Sequence, residues 1–221
     1  MIERDSQQTV LFADLAGFTA LTEAHGDLDA ADVATRFSAL TISALAGETR
    51  LVKTIGDAVM LAGTGPESMV TTALALLRAV DEEPFFPTVR IGVHSGPVVE
   101  REGDLYGATV NLAARLAAHA HAGEILATGP VVAQLSDSRN TRVSSLGELT
   151  FKNVPAPIEV FSIEDPTRAI DAETTDPVCH MVVDADDAPA RLPYGDRRYF
   201  FCSFACAQKF AEHPERYVAV A

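Results

Sequence analysis

Two aspartates stand where apolar runs break. Asp14 follows Thr9-Val10-Leu11-Phe12-Ala13 and precedes Gly17, and Asp57 sits in a Gly56-Asp57 pair between two short runs. Singly, such carboxylates are solvated, cap a turn or serve as turn residues. Paired at the ends of adjacent strands, they have the chemistry to hold two hard divalent cations, the arrangement that clamps the attacking and leaving oxygens of phosphoryl-type transfer. Lys53 alternates with Leu51 and Ile55, so strand periodicity puts it on a face with two apolar residues. It reads equally as an edge-strand lysine or as a residue that reads a ligand. Asn111 and Arg115 are four apart in an Ala-rich stretch and share a helix face. A solvated polar stripe is the plain alternative. Against it, Ala113, Ala114, Ala117 and Ala118 are small enough for another surface to approach, and Asp104 adds a carboxylate just before the helix.

A second set is soft. Cys179, Cys202 and Cys206 are the three cysteines of the chain, with 22 and three residues between them. An odd number without an export signal argues against a disulfide framework and raises a metal or redox role, with thiolate metal ligands favoured over buried apolar fillers. Of the histidines, His119 and His121 do not share a helix face, and His25 and His94 read as surface or packing residues.

The elements that position these residues follow from periodicity and breakers. A buried strand is expected near 9–13, and a helix capped at Asp29 or Asp32 and closed by Gly47. A Gly-Asp hairpin should join strands 50–55 and 58–62. Helix 67–80, strand 88–94, a short strand at Val98-Val99, helix 108–119 and strands 124–128, 142–151 and 158–163 complete the pattern. The order βαββαβ with additions implies an α+β, ferredoxin-like sandwich, with helices over one face of a mixed sheet. Residues 166–175 are polar, acidic and Pro-punctuated, a linker between a domain of residues 1–165 and a small one of 176–221. The 221 residues carry 31 Asp and Glu against 17 Lys and Arg, a net charge of −14, which excludes a sequence-independent nucleic-acid binder. No apolar run is long enough to span a membrane, so a cytoplasmic protein is expected.

Four stretches, Phe12-Ala-Asp-Leu-Ala-Gly-Phe-Thr19, Lys53-Thr-Ile-Gly-Asp57, Arg90-Ile-Gly-Val-His-Ser-Gly96 and Asp104-Leu-Tyr-Gly-Ala-Thr-Val-Asn-Leu-Ala-Ala-Arg115, together resemble the class III nucleotidyl cyclase catalytic domain. The resemblance implies an adenylate cyclase, forming 3′,5′-cyclic AMP and pyrophosphate from ATP. Asp14 and Asp57 match its carboxylates for two Mg²⁺ or Mn²⁺ ions, with the Leu15 carbonyl as a further ligand. The amides of Leu15, Ala16, Gly17, Phe18 and Thr19 match its triphosphate cradle. Lys53 and Asp104 match the pair that reads adenine, Asn111 the residue that orients the ribose, and Arg115 the one that meets charge at the α-phosphate. Lys152 matches a contact to the terminal phosphates, although Phe151-Lys152-Asn153 replaces the usual Lys-Gly. The resemblance further implies a homodimer with sites at its interface. Asp176-Pro-Val-Cys-His-Met181 and Tyr199-Phe-Phe-Cys-Ser-Phe-Ala-Cys206 resemble the YHS domain of the TRASH-like group, associated with heavy-metal handling. That implies Zn²⁺ or Cu⁺ on the three cysteines, with His180 a candidate fourth ligand. The alternatives are a metal-responsive nucleotide-binding protein with negligible turnover, and a guanylate cyclase.

Overall fold

A computed structural model describes residues 5–136, 141–168 and 175–218. Strand β1 (Asp5–Leu15) leads into α1 (Phe18–His25) and α2 (Asp27–Ala44), then the hairpin of β2 (Arg50–Ile55) and β3 (Ala58–Gly63), then α3 (Pro66–Asp81) and β4 (Val89–Arg101). The additions are β5 (Asp104–Tyr106), α4 (Ala108–His119), β6 (Ile125–Thr128), α5 (Gly129–Val132), β7 (Arg142–Leu149) and β8 (Ile158–Glu164). One mixed sheet runs β2-β3-β1-β4-β6-β8-β7, with β5 alongside β4. Its first four strands have the ferredoxin-like order, and β4 and β6 run parallel.

Helices cover both faces of this sheet, not one. Leu11, Ala13 and Leu15 of β1 point with Val59, Leu61, Ile91 and Val93 into a core closed by Phe37 of α2 and Met69 and Leu76 of α3. Val10 and Met60 point the other way, to Ala113 of α4. The cause lies in Thr9–Ala13, which is apolar or small at successive positions and so suits a strand buried on both sides. Helix α4 crosses β4 so closely that a Cβ on Gly92 would lie 2.2 Å from the Ala117 nitrogen, and only glycine fits there.

Two local differences from the expected elements have physical causes. The first helical region divides at Gly26 (φ 91°), and α2 starts at Asp27 with Asp27 and Asp29 in the first turn, where carboxylates complement the helix dipole. The strand expected to break at Gly96 continues to Arg101, because β1 pairs with it as far as Asp5 opposite Val99.

The tail holds β9 (Ala190–Tyr194), β10 (Arg197–Phe201), α6 (Phe204–Glu212) and a 3₁₀ turn at Pro214–Arg216. Ser203 caps α6, its hydroxyl accepting from the Cys206 amide at 3.2 Å. The tail's core of Val178, Phe201, Cys206 and Phe210 is not closed on itself. It takes in Leu21 of α1 and Ala30 of α2. Burial of Phe201 and Phe210 stabilises by about 1.5–3 kcal/mol each, and part of that gain depends on the helices of the first domain. Most of the expected linker lies outside the described residues.

Candidate functional site

Asp14, near the end of β1, is in register with Ala58 of β3 and Arg90 of β4. Asp57 occupies the β2–β3 turn, which is tied to β1 by the Leu15 amide donating to the Asp57 carbonyl at 3.2 Å. The turn thus brings the second carboxylate to the first. Burial raises the Asp14 carboxyl above its ordinary pKa and the charge of Asp57 adds to this, while Arg90, donating to the Asp14 carboxylate, opposes both. Two adjacent carboxylates, one of them bonded to a guanidinium, are a donor set that suits hard divalent cations. Arg90 lies inside one of the quoted motifs, but its partner is visible only through the β1–β4 register.

The loop after Asp14 is partly spoken for. Leu15 donates to Asp57 and the Ala16 amide to the Thr88 carbonyl at 2.9 Å. That leaves Gly17, Phe18 and Thr19, at the start of α1, where first-turn amides have no intrahelical acceptor. Gly17 adopts φ 74°, and its missing side chain admits a neighbour: a Cβ there would meet the His180 ring at 2.7 Å.

Lys53 and Asp104, 51 residues apart, meet at 2.6 Å with both side chains partly exposed. The lysine's hydrogen bond holds the Asp104 carboxyl below its usual range. Simple alternation put Lys53 on the face of Leu51, and a bulge between them corrects this. Leu51 pairs with Leu61 and Lys53 with Met60, so the two sit on opposite faces. Met60 is opposite Phe12, which places Lys53 on the Phe12–Asp14 face of the sheet. Asn111 and Arg115 line a cavity of about 400 Å³ together with Asn153 and Pro155. Lys152, next to Asn153, is exposed, and Phe151 anchors that turn against Leu112 and Leu116 of α4. Among the described residues, no hydrogen bond or ion pair joins Asp14 or Asp57 to Lys53, Asp104, Asn111 or Arg115. One chain brings together the carboxylate pair, the Lys-Asp pair and the Asn-Arg pair, each separately.

The soft cluster gains a member that the sequence reading assigned elsewhere. His25, taken for a surface or packing residue, presents Nε2 3.4 Å from Cys202 Sγ. Cys202 Sγ lies 3.3 Å from Cys179 Sγ and 3.7 Å from Cys206 Sγ, and the four ligand atoms all fall within 4.8 Å of one another. All three cysteines are free. Hydrogen bonds from Cys179 and Cys202 pull the Cys206 thiol down, while Cys179 is pushed up by its thiol neighbours and by burial. His180 turns away, its ring against Gly17 and its carbonyl accepting from the Thr88 amide at 3.2 Å. Behind the cluster lies Asp176, fully buried. One carboxylate oxygen accepts from the Val178 amide at 2.8 Å and the other from the Cys202 amide at 2.8 Å. His94, in contrast, packs as expected, its Nδ1 2.7 Å from the Thr128 hydroxyl.

A ferredoxin-like sheet with one carboxylate near the end of its central strand, a second in the adjoining hairpin turn and helices on both faces agrees with a nucleotidyl cyclase type of domain. The family model of the adenylate and guanylate cyclase catalytic domain matches residues 1–165, and that of the YHS domain matches 174–220. The chain belongs to the adenylate and guanylate cyclase catalytic domain family and carries a YHS domain behind it. An uncharacterized protein of Mycobacterium tuberculosis is 40% identical over 167 residues, 75% of this chain and 43% of its own length. A pH-sensitive adenylate cyclase of that species is 40% identical over 132 residues, 60% of this chain and 33% of its own length. The chain thus spans less than half of either relative. A solved adenylate cyclase of Trypanosoma brucei superposes with a TM-score of 0.66 at 24% identity, covering 80% of this chain and 95% of that one, and shows the same fold. Among the described residues, no helix is long and apolar enough to cross a membrane.

Proposed function

We propose that the protein is an adenylate cyclase that converts ATP to 3′,5′-cyclic AMP and pyrophosphate in a homodimer. The observation that carries this reading is the Lys53–Asp104 pair, held at 2.6 Å and partly exposed, with its lysine on the same sheet face as Asp14. An ammonium beside a carboxylate matches the adenine edge: Lys53 donates to ring N1, and Asp104 accepts from the exocyclic amine. Guanine offers a ring N–H and a carbonyl at those positions and would leave both groups mismatched.

Each remaining residue has one task in this reading. Asn111 orients the ribose so that its 3′-oxygen faces the α-phosphate. Arg115 meets the negative charge that grows there, and Lys152 reaches the terminal phosphates. The amides of Gly17, Phe18 and Thr19 donate to the triphosphate at the positive end of α1. Asp14 and Asp57, with the Leu15 carbonyl, would hold Mg²⁺ or Mn²⁺, which supplies positive charge for the attacking and leaving oxygens. Arg90 gives up Asp14 when those ions bind. The separation of the carboxylate pair from the Lys-Asp and Asn-Arg pairs within one chain supports a site completed by a second copy, as a two-fold dimer allows. The protein works in the cytoplasm in this reading, where ATP is present and its thiols stay reduced.

The test is turnover by the purified 221-residue chain. Cyclic AMP should form from ATP with divalent metal, and far less cyclic GMP from GTP. Nucleotide binding without measurable cyclic AMP would replace the enzyme with a nucleotide-binding signalling protein.

A further inference from the structure

We propose that His25 of the cyclase domain and Cys179, Cys202 and Cys206 of the tail form one tetrahedral soft-metal site, and that the metal clasps the tail onto the loop and helix that follow Asp14. The metal chemistry rests on the donors present. Three sulfurs and one imidazole nitrogen are a ligand set for Zn²⁺, with bond lengths that place tetrahedral neighbours about 3.8 Å apart for two sulfurs and about 3.6 Å for sulfur and nitrogen. The distances of 3.3, 3.7 and 3.4 Å radiating from Cys202 are close to those edges. Cys179 and Cys206 are buried, and the Asp176 carboxylate fixes the backbone on either side of the site through the Val178 and Cys202 amides. A ligand shell this near completion needs only the metal to replace thiol protons.

The location gives the site its consequence. His25 is the last residue of α1, and the first turn of α1 carries Gly17, Phe18 and Thr19. The same tail segment that supplies Cys179 presses on the other end of that helix: the His180 ring abuts Gly17, and the His180 carbonyl takes the Thr88 amide. The Val182 amide donates to the Phe86 carbonyl at 3.2 Å, and Lys209 pairs with Glu23 at 2.7 Å. Leu21 lies between, in the shared core with Phe201 and Phe210. Helix α1 is therefore held at its C-terminal end by the metal and at its N-terminal end by the residue adjoining a metal ligand. Loss of the ion removes the strongest bond across this seam, and what remains is the apolar contact around Leu21, the Lys209–Glu23 ion pair and a few hydrogen bonds. Metal occupancy thus sets the order of the segment from 15 to 25, which joins the hard carboxylate site to the soft one.

The experiment uses the 221-residue chain and reads metal and backbone directly, so it stands whether or not cyclic AMP is formed. Zn-free protein is titrated with Co²⁺, whose absorption reports ligand type and geometry. One ion per chain should bind with an intense tetrahedral spectrum and sulfur charge-transfer bands. Outer-shell partners alone change affinity about 10–100-fold, so His25→Ala should weaken binding by at least about 100-fold and alter the spectrum. His25→Cys should restore affinity with a four-sulfur spectrum, which separates a lost ligand from a damaged fold. In hydrogen exchange, chelation of the wild type should speed amides in 17–25 and at Val182, and His25→Ala should match the chelated state. Three results would each overturn the proposal: unchanged Co²⁺ affinity and spectrum in His25→Ala, a Cys179–Cys202 disulfide in place of metal in protein purified under reducing conditions, or exchange in 17–25 that is indifferent to metal.

Discussion

The two clusters of chemistry in this chain sit at opposite ends of one short segment and are built on opposite plans. At the start, Asp14 and Asp57 present hard oxygens at one end of the central strands, in a site where Arg90 bonds to Asp14 and the Lys-Asp and Asn-Arg pairs stand apart from it. At the end, His25 meets three thiols in a site that is half buried and nearly closed by one chain. The hard site is fixed by strand register, and in the proposed reading it takes substrate and metal. The soft site is assembled from two domains, and its position depends on the docking of a small module. A catalytic centre must admit its substrate and release its product, whereas a structural metal site gains from being sealed.

The sharpest way to separate the two ends is to destroy the hard one. Asp14→Asn or Asp57→Ala should lower cyclic AMP formation by at least about 10³-fold, because charge on the reacting oxygens loses its partner. One Co²⁺ per chain should still bind at the thiol end. Loss of both readouts together would mean that the two ends are not independent.

Openness of the hard site toward a second copy predicts complementation. Inactive Asp57→Ala and Arg115→Ala chains, mixed under conditions of proven subunit exchange, should recover roughly a quarter of wild-type turnover, since half the dimers are mixed and each has one intact site. No recovery would confine the site to one chain.

From the other end, Asp176→Ala leaves the amides of Val178 and Cys202 without their acceptor. Metal affinity, measured by competition with a chromophoric chelator, should fall about 10–100-fold. Unchanged affinity would make Asp176 a bystander and the cluster self-supporting.

A comparable effect concerns selectivity at the hard site. Lys53→Glu combined with Asp104→Cys should reverse the hydrogen-bonding edge and shift the ATP-to-GTP ratio of kcat/KM by about 1–3 kcal/mol, read with both nucleotides. A ratio that does not move would return Lys53 and Asp104 to a solvated edge pair.

Much of the candidate hard site was legible in the sequence. Asp14, Asp57, Lys53, Asp104, Asn111 and Arg115 lie in short motifs whose local strand, turn and helix signals are strong, and the hairpin at Gly56-Asp57 and helix 108–119 stand where their residues imply. The thiols announced themselves by type and spacing. Residue order therefore settles what is local: strand, turn and helix follow from side-chain period and backbone preference within a few residues, and ligand softness follows from the atoms offered.

Other features were decided by packing alone. The bulge that turns Lys53 to the Asp14 face is a matter of register between β2 and β3, and strand alternation within β2 points to the wrong side. Helix α4 lies across from α2 and α3 because Gly92 lets it approach there, although periodicity tells only that it has an apolar face. His25 carries no signal at all in its own neighbourhood. It is 177 residues from Cys202, and only the docking of Phe201, Cys206 and Phe210 against Leu21 brings imidazole to thiol. A residue's type states which bonds it can make. Which partner lies within reach is set by how two apolar surfaces close on each other, and that is a property of the folded chain.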